Sequence, residues 1–313
     1  MDILEIIRRT IETLPDGLHL AGLRSVLRHI EAAYRHFARA QTESDESAFT
    51  DAIYRTNQAF EGSIKEAYRV IEHKDPQRMT PREIEEYFEK NKVFRGRVLA
   101  QFTNYRKEWR NPSTHDYNLD FDEDEAFLAI VSVSAFTKLL IDQIAEQLSF
   151  VAAQKDVKAH KATVDAHPAS GDRLTDRVIK LFQEFSRHYA TTDTAVPVET
   201  EAQLMGALAG FLSTVAPDLK FSTGRIHRGE RPYYVDMEIE RGNELVLVEL
   251  KRGRHQALVS QGVDQLVHYL HAAKAKEGIL FLYTQNATDY AVESFRDHLG
   301  NGVNIFVLRS KSP

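Results

Sequence analysis

Three residues within YYVDMEIERGNELVLVELKRG, residues 233–253, are of types that do chemistry: Asp236, Glu249 and Lys251. The stretch reads as two short apolar strands joined by a turn at Arg241-Gly242-Asn243. Adjacent hairpin strands bring the two carboxylates together. Side chains alternate faces along a strand, so Glu249 and Lys251 point one way and Leu250 points into the core. Neighbouring carboxylates repel, and each resists ionising. A divalent cation removes that conflict, since Mg²⁺ takes hard oxygen ligands and keeps waters and a substrate phosphate. The Leu250 carbonyl is a candidate third oxygen. Lys251, on the same face, is placed to hold an attacking water and offset charge growing on a phosphate. The chemistry these types suit is metal-assisted hydrolysis of a phosphate ester.

Flanking segments extend the pattern. Upstream lies the helical stretch VETEAQLMGALAGFL, residues 198–212, and downstream QGVDQLVHYL, residues 261–270, sets Gln265 and Tyr269 one helical turn apart. Together with D…ExK, these segments resemble the PD-(D/E)XK nucleases over residues 172–313, with Val235 where that family's name has Pro. The resemblance implies an α/β, restriction-endonuclease-like mixed sheet flanked by helices. It implies Mg²⁺ or Mn²⁺ held by Asp236, Glu249 and the Leu250 carbonyl, with Glu201, or alternatively Glu199, as an assisting acid. It implies that Gln265 and Tyr269 help hold the phosphate, and Gln261, one turn earlier on a similar face, shares that role. Products with a 5′-phosphate and a 3′-hydroxyl follow, with DNA favoured as substrate and RNA as the alternative. Arg252 and Arg254 are candidate phosphate contacts, as are His227, Arg228 and Arg231 before Asp236; all of them equally suit a solvated loop. His255, His268 and His271 fit no metal-ligand set.

A second set of reactive types lies in YRKEWRNPSTHDY, residues 105–117. A guanidinium such as Arg110 at a helix end can clamp a phosphate, and an imidazole such as His115 can move a proton near neutral pH. Together they suit metal-free RNA cleavage, in which the 2′-hydroxyl attacks the adjacent phosphate; DNA lacks that group. The segment RNPSTH, with Asn111 following the arginine, resembles the Rx4–6H motif of HEPN domains, over about residues 15–150. The resemblance implies a four- to five-helix bundle that pairs with a second copy, hence a homodimer. The bland reading is a capping and turn sequence, since every residue in it suits a loop.

The elements that would position these groups differ between the halves. Apolar residues recur with a helical period over 17–40, 47–73, 93–110 and 124–149, and Thr80-Pro81 with Glu83 forms a capping box that starts a further helix. Residues 1–150 therefore read as an all-α bundle. Residues 151–171 read as a linker, partly helical at first, and 172–313 as the α/β domain. In that domain helices are expected at 172–190, 199–214, 257–274 and 287–299, and strands at 218–226, 232–240, 244–251, 278–284 and 303–309.

At 313 residues, 42% hydrophobic and 27% charged, the composition is that of two ordinary globular domains. The net charge of -6 falls roughly wholly within the first 150 residues, so nucleic-acid binding would rest on a local basic patch or on metal ions, not on bulk charge. Cysteine is absent, which excludes disulfides and thiolate zinc sites. No apolar run approaches the ~20 residues of a membrane span, and the N-terminus lacks signal-peptide features; a cytoplasmic protein without membrane contact is the expectation. No P-loop or dinucleotide fingerprint occurs.

The leading expectation is a two-domain, Mg²⁺- or Mn²⁺-dependent nuclease, an effector of antiviral defence by analogy of domain types. One rival is a HEPN-type ribonuclease whose second domain only binds nucleic acid. The other is a non-enzymatic dimer that binds a regulatory partner protein.

Overall fold

A computed structural model of the protein describes residues 2–115, 120–160, 172–192, 196, 198–229, 232–296 and 302–311, leaving aside the side chains of Thr114, His115 and Arg228. The chain forms two compact units, Met1–Gln147 and Leu148–Pro313.

The first unit is helical: α1 (Ile3–Glu12), α2 (Leu18–Glu43), α3 (Ser47–Ile71), α4 (Pro81–Asn91), α5 (Gly96–Tyr105), a short α6 (Asn111–His115) and the start of α7 (Glu123–Ala159). The expected capping box is present at α4, where Thr80 Oγ1 accepts from the Glu83 N–H and Glu83 accepts in return. A second box starts α7, with Asp122 and Glu125 exchanging bonds of 2.9 and 3.0 Å. Three acidic residues fill α7's first turn, where the helix dipole favours them. Aromatic rings fill the interior: Phe60 lies 4.7 Å from Tyr105 and 5.0 Å from Phe136, centroid to centroid.

In α7, Phe127 and Val131 are 50% and 41% exposed, while the small Ala126 and Ala129 are buried with Ile130 and Val133. Residues 151–159 are helical, as expected for the start of the linker, but they continue α7, and Ala153 and Val157 join the second unit's core; residues 161–171 of that expected linker lie outside the described residues. By length and composition α7 also qualifies as a membrane-crossing helix, although half of its most apolar window is buried inside the protein. A core helix passes the same test.

In the second unit, α8 (Leu174–Thr191) and α9 (Glu201–Val215) precede β1 (Lys220–Arg228), β2 (Pro232–Arg241), β3 (Glu244–Arg252), α10 (Gln256–Ala273), β4 (Glu277–Tyr283), β5 (Tyr290–Arg296) and β6 (Asn304–Ser310). The six strands form one mixed sheet in the order β1-β2-β3-β4-β6-β5. β1, β2 and β3 are antiparallel, β3, β4 and β6 are parallel, and β5 is an antiparallel edge. Gly242, at φ +60°, makes the tight β2–β3 turn; there is open space around it, so conformation rather than crowding calls for glycine.

β3 alternates between two cores. Val246, Val248 and Leu250 pack with α8 and α9, while Leu247 packs on the opposite face with Leu266 and Leu270 of α10. Burial on both faces explains the near-continuous apolar run.

The helix expected over 287–299 is instead the strand β5, with residues 297–300 outside the described residues. Ala291, Val292 and Phe295 have helix-like spacing, but pairing covers the otherwise bare edge of β6, from Tyr290 opposite Ser310 to Arg296 opposite Asn304. The Tyr290 hydroxyl anchors the start of the strand, accepting from the Thr284 N–H at 3.0 Å and donating to its carbonyl at 3.2 Å.

Candidate functional site

The site forms where β2 leaves β3. Their ladder ends at Met237 opposite Val248, and Asp236 and Glu249 are the next residue on each strand. Asp236 Oδ2 accepts from the Leu250 N–H at 2.9 Å, which clips its carboxylate to β3. The N–H and C=O of one strand residue face the same neighbour, so the Leu250 carbonyl also lies on the Asp236 side. Leu250's side chain is in the core, as alternation requires.

Glu249 is 2% exposed, and Lys251 Nζ donates to its Oε1 at 2.6 Å. Its Oε2 is buried with no hydrogen-bond donor. Burial and the Asp236 charge push the Glu249 carboxyl up to about 8, against the pull of Lys251. Neighbouring carboxylates repel, so a proton or a cation between Asp236 and Glu249 would relieve the conflict. Burial pulls the Lys251 ammonium down, but Glu249, Asp236 and Glu201 together outweigh it and leave it raised. A protonated Glu249 and a Lys251 held by its charge are competing descriptions. The direction that stands is the raised Glu249, because that group is almost fully buried.

Glu201 belongs to the same cluster. Thr200 and Gln203 already cap α9 through a reciprocal box, so the Glu201 carboxyl is not consumed as the cap. Although the residue is exposed, its carboxyl accepts from the Arg252 backbone N–H and feels both Lys251 and Asp236. Burial raises it first, Lys251 lowers it and Asp236 raises it. Glu199 contributes its backbone N–H to Gln203 Oε1 at 2.9 Å.

α10 covers this face of the sheet. At Gly262 a Cβ would stand 2.5 Å from Leu280 Cδ1, so only glycine lets the helix approach β4 this closely. One turn on, Gln265 has a buried Oε1 with no donor. Tyr269 is buried and meets Tyr233 of β2 edge-to-face at 5.9 Å. Gln261 is exposed.

The flanking cations fall into three groups. Arg252 has a buried Nε without an acceptor. Arg254, with His255, Gln256, Arg309 and Lys311, lines a hollow of about 700 Å³ that includes none of the acidic cluster. His227, a candidate phosphate contact, instead meets the buried Glu238, which Arg225 also approaches at 3.1 Å. Arg231 and the Arg228 side chain lie outside the described residues. His268 stacks on Tyr233.

In the first unit, α5 widens into a π-turn over Arg106–Arg110, a distortion that recurs at functional sites. Arg110 sits at its end, with Glu61 at 3.7 Å and the 3%-exposed Glu85 at 4.0 Å. Burial raises Glu85, while Arg110 and Arg106 lower it. The arginine expected to clamp a phosphate is therefore already among carboxylates. Asn111 Oδ1 accepts from Arg110 Nη1 at 3.4 Å. His115 ends α6, and its side chain lies outside the described residues.

Comparison with family models, curated proteins and solved structures finds no match.

Proposed function

We propose that the C-terminal unit is a divalent-metal-dependent nuclease that hydrolyses phosphodiester bonds, with DNA as its favoured substrate. One observation carries this reading: a buried Glu249 carboxylate with a donorless oxygen stands beside Asp236, and Lys251 lies against its other oxygen. A folded protein rarely leaves such an acceptor unsatisfied, because the desolvation cost is not recovered. All-oxygen donors suit Mg²⁺ or Mn²⁺.

Asp236, Glu249, the Leu250 carbonyl and Glu201 would hold the ion. When bound, it would neutralise the carboxylates and polarise a phosphoryl oxygen. The Leu250 N–H fixes the orientation of Asp236. Lys251 supplies a donor and a positive charge at the rim, suited to orienting a water and to opposing charge that grows on phosphate oxygens. Gln265 offers a second unsatisfied acceptor, suited to accepting a hydrogen bond from a water or a substrate hydroxyl.

The N-terminal unit is assigned to pairing with a second copy. Phe127, Leu128 and Val131 support this, being exposed together along α7. Its role in antiviral defence rests on the analogy of domain types alone.

The test is plasmid cleavage in Mn²⁺ by wild type, Lys251→Ala and Asp236→Ala. Cleavage by wild type that EDTA and both substitutions abolish is the expected result. EDTA-resistant cutting of RNA that survives Asp236→Ala would overturn the assignment.

A further inference from the structure

A different cluster, on the helices of the second unit, mixes nitrogen and oxygen donors. Asp156 and His160 stand one turn apart near the end of α7, and His188 faces them from α8. One donor atom from each lies within 4.8 Å of the other two. His188 is 4% exposed, while the side chain of His160 is 38% exposed and gives the cluster its opening to solvent.

The hydrogen bonds determine how each ring is turned. His160 Nδ1 lies 3.0 Å from the Asp156 carbonyl oxygen. A carbonyl only accepts, so Nδ1 carries the proton and the Nε2 of a neutral ring keeps its lone pair. His188 Nδ1 has a partner in Thr192 Oγ1 at 3.3 Å, and its Nε2 faces Asp156 Oδ2 at 2.6 Å. An ionised carboxylate also only accepts, so Nε2 carries the proton in this contact, and a metal ion would have to displace it. An Nδ1–H held by a backbone carbonyl, as at His160, is an outer-shell arrangement of metal-ligating histidines. The Tyr189 hydroxyl is buried without a partner on a 9%-exposed residue, and the Asp156 charge acts on it. An ordered metal-bound water would satisfy it.

We propose that Asp156, His160 and His188 bind one divalent transition-metal ion of the zinc class, with water as the fourth ligand, fastening the end of α7 to α8. Two imidazoles and one carboxylate suit Zn²⁺ and disfavour Mg²⁺, whose preferred ligands are oxygen. The three donor atoms, within 4.8 Å of one another, need close only slightly to reach the roughly 3.3 Å spacing of a tetrahedral zinc ion's ligands. Because the ion would join residues of α7 and α8, its binding would raise the stability of the fold.

The test uses the full chain carrying Glu249→Gln, which weakens the oxygen site, stripped with chelator and titrated with Zn²⁺ in excess Mg²⁺. Bound zinc is counted by elemental analysis, and the melting temperature is followed in parallel. One zinc per chain and a zinc-dependent rise in melting temperature are expected. Adding His160→Ala, at the most exposed ligand, should weaken binding by about 100-fold or more and remove the rise. Asp156→Asn, which keeps the side-chain shape, should do the same. A folded chain that binds no zinc, or whose affinity neither substitution changes, overturns the proposal. Because nuclease activity is not read, the result is independent of the function assigned to Asp236 and Glu249.

Discussion

Lys251 Nζ donates to Glu249 Oε1 at 2.6 Å, across one intervening residue of the same strand. Strand alternation alone brings the two to one face. The consequence is asymmetric: Oε1 has a donor, while Oε2 of the same buried carboxyl has none. The interior penalises the oxygen left over. This half-satisfied carboxyl next to Asp236 underlies the first two predictions.

Glu249→Gln should abolish metal-dependent cleavage, by about 10³-fold or more, while making the metal-free protein more stable at pH 8. The amide keeps the side-chain volume, cannot ionise and can donate toward Asp236. Relief of an unsatisfied buried acceptor is worth about 1–3 kcal/mol. Urea unfolding in EDTA measures it, and a loss of stability at pH 8 would show that the carboxylate is already satisfied by protein groups alone.

Stability should also depend on pH in a definite direction. The Glu249 carboxyl ionises at about 4.5 when free and is pushed up to about 8 in the folded chain. A raised folded value means a contribution fully present below about 4.5 and lost as pH rises through about 8. Metal-free protein should therefore lose stability across that window. Mn²⁺ must displace the proton, so its stabilising effect should be larger at pH 8 than at pH 5.5. Thermal melts with and without Mn²⁺ at the two pH values decide this; an equal shift at both would separate the ion from Glu249.

Much of this arrangement was legible in the sequence because it follows local rules. The Gly242 turn, the period-two pattern of β3 and the Thr80–Glu83 box each need only a few consecutive residues. What stayed hidden depends on distant partners. β5 became a strand because the β6 edge was open to pairing, which no local period reveals. The Asp156–His160 spacing lay in a stretch read mostly as linker, and His188 joins it only after α8 packs. The carboxylates around Arg110 come from Glu61 and Glu85, at 49 and 25 residues' separation, so their approach could not be read from RNPSTH.

Gly262→Ala should act on the site from a distance. Its new methyl would lie 2.5 Å from Leu280 Cδ1, so either the buried Leu280 side chain gives way or α10 lifts from β4; we expect the lift, because Leu280 is fully buried. Overpacking of this kind costs about 1–3 kcal/mol. The lift carries Gln265 and Tyr269 with it, so cleavage should fall by more than the lost folded fraction accounts for. Unfolding curves paired with single-turnover rates separate the two effects. A rate that tracks only the folded fraction would show that α10's position does not matter to the chemistry.

Arg110 offers the sharpest division between its two readings. If its work is to neutralise Glu85, Arg110→Met leaves a 3%-exposed carboxyl with Arg106 as its remaining close cation, at 3.9 Å. Breaking one side of such a buried arrangement costs about 3 kcal/mol. Burial already raises Glu85, and losing Arg110 raises it further, so the penalty should shrink as pH falls and protonation removes the charge. DNA cleavage by the C-terminal unit should persist in the variant once allowance is made for folding. Glu85→Gln restores the balance by removing the charge, so the double variant Arg110→Met/Glu85→Gln should recover most of the lost stability. Unfolding free energies of the four proteins in this cycle give the coupling directly, and a coupling near zero would sink the structural reading. A metal-independent RNA cleavage lost in Arg110→Met and not recovered with stability in the double variant would then mark the guanidinium as a phosphate ligand.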